Sequence, residues 1–149
     1  MLLPKKTKFR KAQRGRLTGR SKGARTVHFG DYGLVALEPV YLSARQIEAV
    51  RVTVNRKLKK IGELFLRVFP DKPISKKPAE TRMGKGKGSP EFWAAPVKRG
   101  RVILEIKGDF DLKVAKEILQ AAQYKLPMKT KLILRESIAD TTAIAATAE

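Results

Sequence analysis

The first acidic residue of the chain is Asp31, and this limits what the segment before it can fold into. Residues 1–30 carry ten Lys and Arg side chains, several glycines and few large apolar residues. A segment with charge of one sign and so little apolar surface cannot bury a core of its own. We therefore predict that residues 1–30 form a basic arm, which is disordered alone and becomes ordered on a polyanion. The candidate polyanion contacts are Lys5, Lys6, Lys8, Arg10, Lys11, Arg14, Arg16, Arg20, Lys22 and Arg25.

The remaining charge divides the chain further. Residues 31–135 hold 23 basic and 11 acidic side chains, and we predict that they form one folded domain. Residues 136–149 hold three acids and no base in an Ala/Thr-rich stretch, so we predict a disordered acidic tail there. The whole chain has a formal net charge of +19 and is 42% hydrophobic. Such a surplus on a chain with enough apolar residues for a core indicates nucleic acid as the first candidate partner, and an anionic membrane surface as the alternative.

The residue types needed for most catalytic and metal sites are scarce. The chain has no Cys and a single His, His28. This composition excludes disulfides, Cys-based zinc sites and Cys nucleophiles, and it leaves no second His for a metal site. We predict no catalytic residue, no metal and no cofactor. No apolar run approaches the roughly 20 residues that span a bilayer, and the start of the chain lacks the apolar segment of a secretory signal.

The clearest helix signal follows Ser43. Ser43 and Gln46 have the spacing of a capping box, and an apolar stripe at helical spacing follows, with Gly62 as the predicted end. The stripe comprises Ile47, Val50, Val54, Leu58 and Ile61. A second helix is predicted over residues 111–125, because apolar residues recur there at the same spacing before Pro127.

Runs rich in β-branched and aromatic residues predict the strands. They cover residues 34–40, 64–69, 91–97, 101–107 and 130–135. Pro39 restricts the first run to a sheet edge, residues 70–78 are predicted to be turn and extended chain, and Trp93 is predicted to lie in the core. Gly100 indicates a hairpin between the third and fourth runs. The predicted fold is α+β: a two-layer sandwich of a mainly antiparallel sheet with two helices on one side, plus the basic N-terminal arm.

A glycine–lysine alternation marks residues 82–88, which we call the Gly–Lys loop. Its members are Arg82, Met83, Gly84, Lys85, Gly86, Lys87 and Gly88. The spacing matches neither a P-loop nor a dinucleotide-binding loop, and this disfavours a phosphate-transferring enzyme. Glycines allow close approach to a polyanion backbone, and lysines supply charge without reading bases. A mobile, solvated loop is the alternative, and the loop by itself leaves both open.

A further basic set lies on the first helix. It comprises Arg51, Arg56, Lys59 and Lys60. These side chains could form a phosphate-facing surface opposite the buried stripe or an ordinary solvated helix face, and the sequence leaves both interpretations open.

Six motifs in collinear order resemble one family, the bacterial-type large-subunit ribosomal protein L-sixteen. The resemblance runs from Met1 to about Arg135. The motifs are MLLPKKTKFRK (1–11), FGDYGL (29–34), ARQIEA (44–49), RVFPDKP (67–73), RMGKGKG (82–88) and KLPMKT (125–130).

This resemblance implies an α+β fold and a structural, non-catalytic role in the large ribosomal subunit. It implies binding to 23S rRNA with 5S rRNA nearby, contact with A-site and P-site tRNA close to the peptidyl-transferase region, and support of late subunit assembly and translation. Neighbouring large-subunit proteins are implied partners; no membrane contact and no homo-oligomer are expected. The arm from Lys5 to Arg25 corresponds to rRNA contact, and Arg82, Lys85 and Lys87 correspond to the loop near tRNA. The expected location is the cytoplasm, in a bacterial ribosome or an organellar one.

Overall fold

A computed structural model describes residues 2–135 of the chain; the predicted tail, residues 136–149, lies outside them. Two helices and seven strands follow one another between Tyr32 and Leu134. They are β1 (Tyr32–Ala36), β2 (Val40–Ser43), α1 (Ala44–Leu58), β3 (Gly62–Leu66), β4 (Lys72–Lys76), β5 (Ser89–Val97), β6 (Val102–Gly108), α2 (Leu112–Gln123) and β7 (Thr130–Leu134). The predicted α+β class is confirmed.

The described strands form two antiparallel sheets, where a single sheet was predicted. The four-stranded sheet has the order β3-β6-β1-β7, and the three-stranded sheet has the order β2-β5-β4. The predicted hairpin between residues 91–97 and 101–107 is therefore wrong. The turn at Gly100 takes the chain from one sheet to the other, and the Gly100 N–H donates to the Ala36 carbonyl at 2.7 Å. The reason is packing: Val97 of β5 and Ile103 of β6 meet in one core cluster between the sheets.

The first predicted strand, residues 34–40, is two strands in the structure. Pro39 lies in the turn between β1 and β2. The placement at an edge is wrong for β1, which pairs with both β6 and β7. Residues 70–78 are not only turn and extended chain, since they include β4, which pairs with β5. Trp93 is half-buried in β5 and not a core residue.

The capping box of α1 is confirmed. The Ser43 N–H donates to Gln46 Oε1 at 2.9 Å, and the Gln46 N–H donates to Ser43 Oγ at 3.3 Å. The helix ends at Leu58 and not at Gly62, and Lys59 and Lys60 adopt positive φ angles of 45° and 69°. Ile61 consequently leaves the buried stripe and is 64% exposed, so its predicted place in the core is wrong.

Gly62 opens β3 instead of ending the helix. A Cβ at this position would lie 2.5 Å from the Lys107 carbonyl oxygen of the neighbouring strand. That approach is closer than a side chain tolerates, so the β3–β6 pairing itself favours glycine there.

The four-stranded sheet is covered on both faces. On one face, Leu34, Leu104 and Ile106 pack with the buried residues of α1 and α2, which confirms the two helices on one side. On the other face lie the second sheet and residues 27–30. Residues 102–106 of β6 are all buried as a result.

Candidate nucleic-acid interface

The ten basic residues of the arm all have exposed side chains. Within residues 2–135 the three ion pairs are Arg51–Glu48, Arg67–Glu105 and Lys129–Glu38. None of these pairs involves an arm residue. The ten charges therefore face solvent without a carboxylate partner in the described chain, as phosphate-binding groups do before they meet RNA.

The C-terminal part of the arm is hydrogen-bonded to the domain. The Ser21 N–H donates to the Arg99 carbonyl at 2.8 Å, and the Val102 N–H donates to the Ala24 carbonyl at 2.7 Å. Val27 is buried over Gly33, where an added Cβ would lie 2.6 Å from Val27 Cγ2. Residues 20–30 thus have partners on the domain, which the sequence did not indicate.

A buried carboxylate fixes the end of the arm. Glu105 is fully buried, and its Oε2 accepts the N–H groups of His28 at 3.1 Å, Phe29 at 2.6 Å and Gly30 at 2.9 Å. Its Oε1 accepts from the guanidinium of Arg67. We call Glu105, Arg67 and residues 28–30 the Glu105 anchor.

The charge of Glu105 is stabilised in spite of its burial. Burial acts to raise the pKa of this carboxyl, but the three backbone N–H groups and the Arg67 guanidinium together lower the pKa below its ordinary value. Hydrogen bonds from N–H groups favour the ionised form of a carboxylate. The anchor therefore contains a carboxylate, not a carboxylic acid, at neutral pH.

No sequence pattern points directly to this anchor. Glu105 alternates with buried Leu104 and Ile106, so the period of two placed it on a solvent face with Lys107. The only indirect signal is Gly30, where an added Cβ would lie 2.6 Å from the Ile106 carbonyl oxygen. Such an approach requires glycine, but a sequence alone does not tell which chain lies against it.

The Gly–Lys loop lies at the connection between β4 and β5. Residues 82–87 are all exposed, and Met83 keeps 96% of its surface accessible. Gly84, Lys85 and Gly86 have positive φ angles of 91°, 54° and 83°. The Lys77 ammonium donates to the Gly84 carbonyl at 2.6 Å from the base of the same connection. The glycines at two of these three positions leave the backbone uncovered by side chains, so an anion can approach it closely.

The structure brings the loop and the arm together. The Lys11 ammonium donates to the Lys87 carbonyl at 2.7 Å, and the Lys87 ammonium donates to the Ala12 carbonyl at 2.6 Å. These residues are about 75 positions apart in sequence. Two of the three predicted basic groups therefore form one continuous surface.

Two further residues join this surface that the sequence analysis did not single out. The Tyr41 hydroxyl and the Lys72 ammonium both donate to the Arg14 carbonyl. The Arg14 guanidinium lies 5.4 Å from the centre of the Tyr41 ring. Lys72 belongs to the RVFPDKP motif, but no sequence pattern indicates that Tyr41 or Lys72 meets the arm, because each contact depends on how the arm crosses the three-stranded sheet.

The four basic residues of the helix set make no hydrogen bond or ion pair with the arm within residues 2–135. Arg51 forms an ion pair with Glu48 at 2.5 Å, and its hydrogen bond lowers the pKa of that carboxyl. Arg56, Lys59 and Lys60 are exposed at the C-terminal end of α1. Within residues 2–135 no hydrogen bond or ion pair connects these four side chains to the Gly–Lys loop. Arg51 therefore has its own partner, and the other three remain open to solvent.

Comparison with known proteins shows the family of the chain. The family model of ribosomal protein L16p/L10e matches residues 4–133. The chain belongs to this family. The resemblance to large-subunit ribosomal protein L-sixteen is thereby confirmed.

Similar L16 proteins extend over nearly the whole chain. The large ribosomal subunit protein uL16 of Heliobacterium modesticaldum is 53% identical over 93% of this chain and 95% of its own length. The protein uL16c of Porphyra purpurea is 54% identical over 93% of this chain and 99% of its own. The uL16 protein of Maricaulis maris is 56% identical over 91% of this chain and 98% of its own length.

Membership of the L16 family gives the chain a structural role in the large ribosomal subunit and a place in the ribosome, where RNA binding is expected. None of the helices in residues 2–135 is long and apolar enough to cross a bilayer. The family is one of ribosomal structural proteins and not of enzymes as a rule.

Proposed function

We propose that this chain binds 23S rRNA close to 5S rRNA and that its Gly–Lys loop contacts A-site and P-site tRNA near the peptidyl-transferase region. In this role it supports late assembly of the large subunit and translation. Neighbouring large-subunit proteins are its other partners, and the chain acts as a single copy without a catalytic residue.

The observation that carries the proposal is the pair of hydrogen bonds that joins residues 11–12 of the arm to Lys87 of the loop. The Lys11 ammonium donates to the Lys87 carbonyl at 2.7 Å, and the Lys87 ammonium donates to the Ala12 carbonyl at 2.6 Å. The contact joins the exposed charges of the arm to those of the loop without using a carboxylate. A surface of this kind binds phosphates through the release of condensed counterions.

The chemistry of the loop favours a partner recognised by its backbone. Lys85 and Lys87 supply charge, and the left-handed Gly84 and Gly86 present backbone without side chains. Such contacts position a polyanion but read no bases. This suits tRNA, because successive tRNAs at one site differ in sequence and share a backbone.

The arm is proposed to become ordered on rRNA. Its residues 11–14 are joined to the domain by hydrogen bonds of exposed side chains, which water can replace, whereas residues 20–30 are held by backbone hydrogen bonds and by the Glu105 anchor. Limited proteolysis of the free protein and of the ribosome tests this. We expect trypsin to cut within residues 5–16 of the free protein only. Equal protection of residues 1–25 in both states would contradict coupled ordering.

The exposed basic residues at the end of α1 are proposed as a second rRNA contact. Arg56, Lys59 and Lys60 are exposed at the end of α1 and form no ion pair within residues 2–135, whereas Arg51 pairs with Glu48. Removal of Arg56, Lys59 and Lys60 by Ala substitution should weaken binding to rRNA more than removal of Arg51 alone. Equal losses would contradict this ranking.

The tRNA contact is tested with large subunits depleted of this protein and then supplied with variants. The triple variant Arg82→Ala, Lys85→Ala, Lys87→Ala should enter the particles but support weaker tRNA binding at the A and P sites. The matched control Lys113→Ala, Lys116→Ala, Lys125→Ala removes the same charge from the helix layer and should leave tRNA binding near wild type. Wild-type tRNA binding with the loop variant would overturn the proposed tRNA contact.

A further inference from the structure

The Phe29 side chain is exposed although its backbone is firmly fixed. Phe29 keeps 56% of its surface accessible, while its backbone N–H donates to the buried Glu105 Oε2 at 2.6 Å. The two adjacent N–H groups, of His28 and Gly30, donate to the same oxygen. An aromatic side chain is thus presented to solvent from backbone that a buried charge positions.

The ring lies on two side chains of one sheet face. The Phe29 and Phe65 ring centres are 5.8 Å apart at 28°, and the Arg67 guanidinium lies 4.8 Å from the centre of the Phe29 ring. Phe65 and Arg67 are two residues apart on an extended chain, so they project from the same face. Phe29 therefore covers both from above, and a ring enclosed on both sides could not keep more than half its surface accessible.

We propose that the outer face of Phe29 is a stacking site for an unpaired nucleobase of RNA. The inference rests on the proposed RNA-binding function and adds a contact that is not electrostatic. Every base has a π face, and aromatic side chains held in place stack on it without reading sequence. Because the Glu105 anchor already fixes Phe29, little ordering entropy is lost when a base arrives.

The charge around the ring favours a nucleotide over an apolar protein side chain. Residues 2–30 contain no acid, and the exposed Lys22 and Arg25 precede Phe29 by seven and four residues in the sequence. Asp31, two residues after Phe29, is the nearest acid along the chain. The Arg67 charge beneath the ring is balanced by Glu105. Glu63, on the same strand as Phe65, is paired in the sheet register with Lys107, so a basic residue lies beside this acid on the neighbouring strand. A base can therefore stack on the ring while its phosphates meet the arm.

The stacking role is tested by changing the ring without changing charge. In binding to large-subunit particles depleted of this protein, Phe29→Leu should lower affinity about tenfold. The slope of log K against log salt should stay at the wild-type value, because no phosphate contact is lost. Phe29→Trp keeps an aromatic ring at this position and should bind about as tightly as the wild type. Phe69→Leu, which removes another exposed ring, is the matched control and should bind as wild type.

These outcomes separate this inference from the function on which it rests. If Phe29→Leu binds as tightly as wild type while the wild type itself binds with a steep salt dependence, stacking is overturned and RNA binding stands. If the wild type shows no salt-dependent binding to RNA, the proposed function fails first. A thermal unfolding midpoint of Phe29→Leu near that of the wild type is expected, and a large loss would overturn the purely surface role of the ring.

A photo-crosslinking amino acid at position 29 identifies what covers the ring. Irradiation of assembled particles should join position 29 to RNA. Crosslinks only to another protein would overturn the proposal in favour of a protein partner at this site.

Discussion

The Glu105 anchor and the Gly–Lys loop both depend on contacts with residues far along the chain, but the contacts differ in chemistry. In the anchor, a fully buried carboxylate accepts three backbone N–H groups and a guanidinium. Between the loop and the arm, the exposed ammonium groups of Lys87 and Lys11 donate to carbonyl oxygens. The contacts of the anchor are closed to water, whereas water can replace the carbonyl oxygens that the two exposed ammonium groups contact.

This difference separates what holds the protein together from what it offers to a partner. Removal of one member of a buried network leaves the others without partners and is costly. An exposed lysine that loses a carbonyl regains water at little cost. The anchor is therefore suited to position the arm, and the loop is suited to exchange its internal contacts for phosphates.

The largest effect is expected from Glu105→Ala. The substitution leaves three N–H groups and the Arg67 guanidinium without an acceptor, and we expect the free energy of unfolding to fall by about 3–5 kcal/mol. Urea denaturation measures it. Glu63→Ala removes an exposed acid from the neighbouring strand and should change stability by less than about 0.5 kcal/mol. Equal losses in the two variants would contradict the role of the anchor.

A smaller effect is expected when the arm is displaced by sterics alone. Gly30→Ala places a Cβ 2.6 Å from the Ile106 carbonyl oxygen and should cost about 1–3 kcal/mol of stability. Gly23→Ala, in the same arm, has nothing within 4 Å of the added Cβ and is the control. Thermal unfolding compares them, and a harmless Gly30→Ala would mean that residues 28–30 do not lie as described.

The charge of the anchor should be visible in the pH dependence of stability. The pKa of Glu105 is lowered in the folded state, so its stabilising charge is fully present above the unfolded value of about 4.3 and is lost as pH falls through the folded pKa. The difference in unfolding free energy between wild type and Glu105→Gln should be constant from about pH 5 to 8 and shrink in stronger acid. If the difference in unfolding free energy between wild type and Glu105→Gln stayed constant below about pH 5 as well, the lowered pKa would be contradicted.

The smallest effect is expected at the contact between arm and loop. Lys11→Ala and Lys87→Ala each remove an exposed hydrogen bond, and each should change stability by less than about 0.5 kcal/mol. A double-mutant cycle in urea denaturation measures their coupling. A coupling above about 1 kcal/mol would show that the loop, like the anchor, is fixed by its internal contacts.

Local signals predicted the parts of the fold that depend on local sequence. The capping box of Ser43 and Gln46 and the stripe from Ile47 to Leu58 are confirmed because helix formation is decided within a few turns. The second sheet was missed because Gly100 looks the same in a hairpin and in a turn between sheets. Which of the two forms depends on long-range packing, here of Val97 with Ile103.

The candidate interface divides in the same way. Its basic residues are evident from composition, and all ten in the arm are exposed as expected of such groups. The burial of Glu105 was not predictable, because its place in an alternating strand indicates solvent unless one knows that residues 28–30 cover that face. The contact of Lys11 with Lys87 depends likewise on the path of the arm.

The salt dependence of RNA binding tests most directly that the Gly–Lys loop contacts phosphates. Association with large-subunit particles depleted of this protein is measured across a salt series for wild type, for the triple variant Arg82→Ala, Lys85→Ala, Lys87→Ala, and for the control Lys113→Ala, Lys116→Ala, Lys125→Ala. We expect the slope of log K against log salt to become shallower by about 2–3 for the loop variant only. An unchanged slope for the loop variant, or an equal change in the control, would contradict a phosphate contact at the loop.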